Sequence, residues 1–393
     1  MQSPRIARLL SGSSPAALDD FWSSASTPLI EPYDDGHMLV TFLWRGESAA
    51  VRAWWGIDVP LTRQPGTDLW AGSEVFPTDL RTTYCLTHNG AEVAPPDASG
   101  VGPSHVDARN PLRLHFPADP ADPTDEEGWL SVLALPDAPG EPWLAPRPGV
   151  PAGTVTETVL NSRALGGDRR IAVYRPAGLP TEGLPVLVVF DGFLARRVLN
   201  IPTVLDNLIA ADRIPPMTAL FVSNFAATRD DDLRPADGVL GFAAGELMPW
   251  ARERLGAGLD GRANIVAGAS RGGLAATWLG LRAPDVFGAV IAQSGSFWWP
   301  TPAEGEPGWL IREVPRRPVS DVRFYLDVGQ RETVPGPGGA PSQLTVCRAM
   351  RDALRGHGFR VGYHEFSGGH DYINWRRTFP EAMVAVSGAR TNR

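Results

Sequence analysis

Cysteine is almost missing: Cys85 and Cys347 are the only two in 393 residues, one in each half of the chain. Two thiols so placed exclude a disulfide framework and a cysteine zinc site, and both are expected as buried thiols. Long apolar runs are missing as well. No window approaches the length of a membrane span, and Met1 to Leu10 holds two arginines but no apolar stretch long enough for a signal peptide. The chain therefore reads as cytoplasmic, with no membrane partner. Excess positive charge is the third absence. Thirty-six Lys plus Arg stand against 44 Asp plus Glu, a net charge of -8, and a surface that neutralises phosphates needs the opposite balance. Nucleic acid is thus not expected as a partner, although a local basic pocket is compatible with the count. No internal repeat is found. Low complexity is confined to "PGPGGAP", Pro335 to Pro341, which is expected as a mobile loop.

The composition that is present, 43% hydrophobic and 20% charged, is that of a soluble globular protein, and the length favours two domains. Short β-rich runs from about Leu39 to Leu86, "MLVTFLWRG", "AAVRAWWGI", "LWAGSEVF" and "TTYCLTH", are separated by Pro, Gly and Asp at the spacing of a β-sandwich. Ahead of them "SSPAALDDFWSSA" reads as a short helix capped by Ser13 or Ser14. Ala134 to Thr154 is dense in Pro and Gly, sustains neither helix nor central strand, and marks the boundary between domains 1–150 and 151–393. Beyond it, "PVLVVF", "TALFVS", "NIVAG", "AVIAQS", "VRFYLDV" and "FRVGYHEF" alternate with stretches of helical spacing. That alternation predicts a doubly wound α/β sheet, entered through antiparallel "TVTETVL" and "RRIAVYRP".

Gly268-Ala269-Ser270-Arg271-Gly272 fits G-x-S-x-G, and it follows the strand "NIVAG" and opens the helix "GGLAATW". A chance match is the plain alternative in a chain with 42 Gly. The strand–turn–helix setting favours a nucleophile held on a tight turn, with a helix N-terminus to favour developing negative charge. A serine hydroxyl needs a base. Of the histidines after Ser270, His364 sits within the last strand and His357 in a helix-ending turn, whereas His370 occupies the glycine loop "FSGGHDYINWRR" after that strand. His370 is the expected base. The orienting acid is expected after the penultimate strand "YLDVGQRE", where Glu332 lies on the loop and is preferred to Asp327, which falls within the strand. Asp371 reads as a capping residue. The oxyanion donors are expected to be the N–H groups of Arg271 and of Phe193, the latter on a turn shaped by Gly192. Arg196, Arg197, Arg229 and Arg234 lie on or beside loops at carboxyl ends of strands, where an anionic substrate would gain from guanidinium groups. Trp298, Trp299 and Trp375 are candidates to wall an aromatic substrate. Asp230, Asp231 and Asp232 read as a solvated loop and helix cap, and no metal site is expected.

Taken together, "TPLIEP", "VTFLWRG", "PGTDLWAGSEVFPTDLRTTYCL" and "DARNP" in the first half and "VFDGF", "GASRGGLAA", "AQSGSFWWP", "LDVGQRE" and "GGHDYINWR" in the second resemble the enterochelin (ferric enterobactin) esterase family. The resemblance covers nearly the whole chain. It implies an immunoglobulin-like N-terminal domain before an esterase-D-like α/β-hydrolase. It further implies hydrolysis of a catecholate siderophore trilactone to release iron, with Ser270 as nucleophile, His370 as base and Glu332 as acid. No cofactor is expected, and the implied partner is a small-molecule ester, handled by a monomer or small homo-oligomer. A related acyl hydrolase or acyltransferase acting on another natural-product ester or amide, and a non-catalytic siderophore or glycan binder, are the alternatives.

Overall fold

The β-rich runs of the first half become one antiparallel sheet: β1 (Leu29–Asp34), β2 (His37–Arg45), β3 (Val51–Trp55), β4 (Asp58–Arg63), β5 (Leu69–Pro77), β6 (Arg81–His88), β7 (Ser104–His105), β8 (Arg113–Phe116) and β9 (Gly128–Ala134). Their order is β1-β2-β5-β4-β3-β6-β9-β8, with β7 paired to β6. β4 joins the two halves, pairing through residues 58–61 with β3 and through Thr62 and Arg63 with β5. The sheet can therefore fold across this seam. Val40 and Phe42 of β2, Val51 and Ala53 of β3, Val59 and Leu61 of β4, and Tyr84 and Leu86 of β6 share a single buried core, as the period-2 alternation requires. The structure, a computed structural model, describes residues 3–12, 15–90, 102–224 and 227–388.

Two helices precede the sheet, Pro4–Gly12 and Pro15–Ser24. The second was expected; its candidate caps, Ser13 and Ser14, lie outside the described residues. The first was not, because its apolar face is only Ile6, Leu9 and Leu10, which pack with Leu18, Leu29, Leu43 and Leu69. Three apolar residues at helical spacing are too short a signal to stand out in sequence.

The second half forms an eight-stranded sheet in the order β10-β11-β13-β12-β14-β15-β16-β17. The strands are β10 (Thr154–Ser162), β11 (Gly167–Arg175), β12 (Val186–Val189), β13 (Thr218–Ser223), β14 (Ile265–Ala269), β15 (Ala289–Gln293), β16 (Arg323–Gly329) and β17 (Arg360–Phe366). β10 and β11 are antiparallel to each other, β11 is antiparallel to β13, and every pair from β13 through β17 is parallel. From β12 the chain crosses to β13 on one side and then returns to β14 on the other. The strand order thus reverses at β12, and loops that leave β12 and β14 diverge in opposite directions from a crevice at their carboxyl ends. Residues of β12 to β16 are buried on both faces, among them Val188, Val266, Val290 and Leu326, which is why these strands read as continuous apolar runs rather than alternating ones.

The chain forms two compact units: Met1–Ala118, Glu126–Gly140 and Ser367–Ile373 in one, and Asp119–Asp125, Glu141–Phe366 and Asn374–Arg393 in the other. The Pro/Gly-rich stretch 135–153 carries no helix or strand. Two further local readings change. The stretch "FAAGELMPWARERL", whose spacing predicts one continuous helix, is a π-helix over Gly241–Leu247 followed by an α-helix over Met248–Leu255. Pro249 has no N–H to give the preceding turn and its ring crowds that turn's carbonyl, so the ladder widens ahead of it. The acidic run 230–232 is not uniformly solvated: Asp232 is buried and accepts from Arg169 at 2.7 Å. A guanidinium buried on β11 needs a counter-charge, and the third aspartate supplies it. Both cysteines are buried, and neither is in a disulfide. "PGPGGAP" carries a short helical turn, Pro337–Gly339, closed by a bridge between Gly336 and Ala340. Among the described residues no helix is long and apolar enough to cross a membrane, and no group of three or more metal-ligating side chains occurs.

Candidate active site

β14 ends at Ala269 and the helix Arg271–Arg282 begins two residues later, so Ser270 alone makes the corner. Its backbone sits at φ 54°, ψ −118°, a region that a residue with a Cβ enters only when its surroundings force it, at a cost of about 1–3 kcal/mol. The forcing bonds are on either side: Ser270 N–H donates to Gln293 O at 2.8 Å, and Ser296 N–H donates to Ser270 O at 2.9 Å. Gly268 and Gly272 permit the corner, because a Cβ on Gly268 would stand 2.4 Å from the Gly272 carbonyl carbon. Gly268→Ala is therefore expected to cost several kcal/mol of stability or to open the turn, measurable as a fall in Tm together with loss of esterase activity. Ser270 Oγ lies half-buried, 3.2 Å from Ser296 Oγ.

The turn after β12 has a similar construction. Asp191 is left-handed (φ 54°, ψ 45°) and starts the short helix Gly192–Arg197. A Cβ on Gly192 would meet the Phe221 carbonyl carbon at 2.5 Å, so only glycine lets this turn close on β13. The turn also approaches the serine corner: a Cβ on Gly272 would lie 3.4 Å from Asp191 Oδ2. First-turn N–H groups have no acceptor within their own helix. Phe193 and Arg271 both supply such groups, one on each of these two neighbouring turns.

The arginines are mostly engaged with carboxylates. Arg229 grips Asp191 with two bonds of 2.6 and 2.7 Å, Arg196 reaches Glu157 at 2.9 Å, Arg234 reaches Asp231 at 2.6 Å, and Arg197 is exposed. The Arg271 guanidinium lies over the Trp298 ring at 5.1 Å and 3.4 Å from Asp230, and its Nη1 is buried without a hydrogen-bond partner. Trp298 is buried and donates to Gln343 at 2.8 Å. Trp299 is half-buried, edge-on to Trp309 at 5.7 Å, and Trp375 is buried.

The two candidate acids occupy different settings. Glu332 lies on the loop beyond β16, 5% exposed, and its Oε1 accepts from Gly329 N–H at 2.7 Å and from Ser294 Oγ–H at 2.6 Å. Asp327 lies within β16 with no exposure. Gln293 donates to its Oδ2 at 3.3 Å, while Oδ1 has no partner. Burial pushes its carboxyl up to about 7, because a charge there loses its water without enough donors in exchange. A carboxyl raised in the fold penalises the folded state as pH climbs from the unfolded value near 4 to about 7, and the penalty is full above that. Asp327→Asn is therefore expected to raise Tm at about pH 8 and to give no gain at about pH 4, with activity retained; loss of activity in that variant would move the acid's role to Asp327.

Of the later histidines, His357 ends the helix Gln343–His357, 2.6 Å from the Arg317 carbonyl. His364 is half-buried on β17, where burial and Arg377 lower its pKa. His370 follows β17 in the segment Ser367–Ile373, half-buried. Asp371 directly precedes the helix Tyr372–Val386, is buried, and accepts from Thr82 Oγ1 at 2.9 Å and Thr83 N–H at 3.0 Å. Sequence reading also passed over Ser294, Ser296 and Gln343. The one signal for the two serines is polar residues directly after an apolar strand, in "AQSGSFWWP", and Gln343, at the start of the helix Gln343–His357, has none.

The esterase family model matches residues 162–386, and the model for the enterochelin esterase N-terminal domain matches residues 39–144. An iron(III) enterobactin esterase of Dickeya dadantii is 32% identical over 94% of this chain and 93% of its own. An iron(III) salmochelin esterase of Escherichia coli is 25% identical over 95% and 94%. The crystal structure of the Shigella flexneri enterobactin esterase, obtained in the presence of enterobactin, shares the fold with a TM-score of 0.72 at 22% identity, covering 94% of this chain and 97% of that one. This chain is a carboxylic ester hydrolase and belongs to the enterochelin (enterobactin) esterase family.

Proposed function

We propose that the enzyme hydrolyses the ester bonds of a catecholate, enterobactin-like siderophore in the cytoplasm, with iron entering as the substrate's cargo. The observation that carries the substrate class is the N-terminal match over residues 39–144, since a serine on a tight strand-to-helix turn is common to many esterases. In the proposed reaction Ser270 Oγ attacks the lactone carbonyl while His370 takes its proton, and Glu332 holds the imidazole in the tautomer that can accept it. Oxyanion charge falls to the N–H groups of Arg271 and Phe193, on the adjacent turns after β14 and β12. His370 then returns the proton to the departing serine hydroxyl of the siderophore, and water, activated by the same base, releases the acyl group from Ser270. No cofactor takes part.

Arg196, Arg197, Arg229 and Trp299 are assigned to the substrate side of this site, with Trp298 behind Arg271 and Gly192 shaping the turn. Aryl groups of the ligand suit tryptophan walls and its charge suits guanidinium groups. Mass spectrometry of products from a small panel is the test. Enterobactin-type trilactones are expected to yield linear and then monomeric products, one water gained per ester cut. Turnover of simple aryl esters with no conversion of any trilactone would keep the esterase and remove the siderophore. A new acyl product formed with an added alcohol or amine would mark an acyltransferase. Binding of the siderophore without cleavage would mark a binder.

A further inference from the structure

β15 delivers three residues, Ser294 to Ser296, that touch the proposed acid at one end and the proposed nucleophile at the other. Ser294 is fully buried and left-handed, with φ 44°. Its main chain is already held: its N–H donates to Asp327 O at 2.8 Å, and its carbonyl accepts from Gln343 Nε2 at 2.6 Å. The hydroxyl is therefore not needed to shape the loop. It accepts from the Trp375 indole N–H at 3.0 Å and donates to Glu332 Oε1 at 2.6 Å. A hydroxyl has one hydrogen, and with the indole N–H pointing at its lone pair that hydrogen is directed to the carboxylate. Two residues on, Ser296 donates its N–H to Ser270 O at 2.9 Å and places its Oγ 3.2 Å from Ser270 Oγ.

We infer that Ser294 is a positioning residue which, guided by Trp375, fixes the place and the basicity of Glu332. The inference rests on the reading of Glu332 as the triad acid. Oε1 then carries two donors, from Gly329 and Ser294, and the carboxylate orients the base through its other oxygen. Each donor draws charge from the carboxylate and weakens its hold on an imidazolium; removing one strengthens that hold and raises the pKa of the base.

The test is steady-state kinetics of Ser294→Ala, Ser294→Cys, Trp375→Phe and Glu332→Gln across pH, on a soluble ester, with folding checked by circular dichroism. Ser294→Ala is expected to lower kcat by about ten- to a hundredfold with KM little changed, and to move the acid limb of kcat/KM to higher pH. Ser294→Cys keeps the volume with a weak donor and is expected to follow alanine. Trp375→Phe is expected to lose less, and Ser294→Ala/Trp375→Phe no more than Ser294→Ala alone, the non-additivity of two residues acting through one bond. Wild-type kcat and an unmoved acid limb in Ser294→Ala would overturn the inference, as would lower activity with the limb unmoved. If Glu332→Gln is also fully active the acid reading fails; if Glu332→Gln is inactive while Ser294→Ala matches wild type, only the role of Ser294 fails.

Discussion

Ser270→Ala is expected to reduce kcat by on the order of 10⁴ or more, with KM and folding unchanged, because without the nucleophile the oxyanion donors and binding contacts supply only the residual catalysis. Labelling by a fluorophosphonate should disappear in the same variant. A second consequence separates strain from chemistry. Ser270 is held at φ 54° and ψ −118° by bonds to Gln293 and from Ser296, and alanine keeps the Cβ that makes this conformation costly. Ser270→Gly removes it. Both variants should be inactive, yet the glycine variant should melt higher than the alanine one, the strain released being about 1–3 kcal/mol. Equal Tm values would mean that the corner stores no strain. Residual kcat within tenfold of wild type in either variant would remove Ser270 from the reaction.

The doubly wound sheet is the most legible feature, since its central parallel strands are short apolar runs buried on both faces. Val186–Val189, Ile265–Ala269 and Ala289–Gln293 each fall in an apolar run, and no neighbouring pattern competes with them. The helix at Pro4–Gly12 and the π-turn at Gly241–Leu247 were not legible. Three apolar residues, or one proline, determine each of those, and their effect depends on what packs against them. Asp232 shows the same limit for charge: nothing in "RDDDLR" distinguishes the aspartate that meets buried Arg169 from its two exposed neighbours.

For the proposed triad, chain order and motif select Ser270, Glu332 and His370, and the two candidate acids differ in setting. Glu332 Oε1 is met by two donors, whereas Asp327 keeps an orphan oxygen and a carboxyl raised toward neutrality. The bonds of Ser294 to Glu332 and of Asp371 to Thr82 and Thr83 had no sequence signal, because each partner lies far away in sequence. A hydroxyl or carboxylate with such a partner has no local pattern.

His370→Ala and Asp371→Ala are expected to be damaging for opposite reasons. His370→Ala should remove turnover to about the level of Ser270→Ala, since a serine without its base is not activated, with Tm close to wild type because the imidazole is half-buried and the backbone beside it is held by others. Those others are in the first unit. Arg81 N–H donates to Ser367 O at 3.2 Å, Gly369 passes so near Gly56 that a Cβ would stand 2.5 Å from the Gly56 carbonyl oxygen, and Asp371 Oδ2 takes the Thr82 hydroxyl and the Thr83 N–H. Asp371→Ala leaves two buried donors unpaired, about 1–3 kcal/mol each, so Tm should fall while the base is still present. With its loop loosened, kcat measured well below the lowered Tm should drop by about tenfold or more, since small displacements of a reacting group are costly. Asp371→Asn keeps an oxygen that can accept both bonds and should recover most of the stability and activity, whereas no such recovery is expected from any uncharged replacement of His370. Wild-type kcat in Asp371→Ala would mean that Gly369 and Ser367 suffice to place the base.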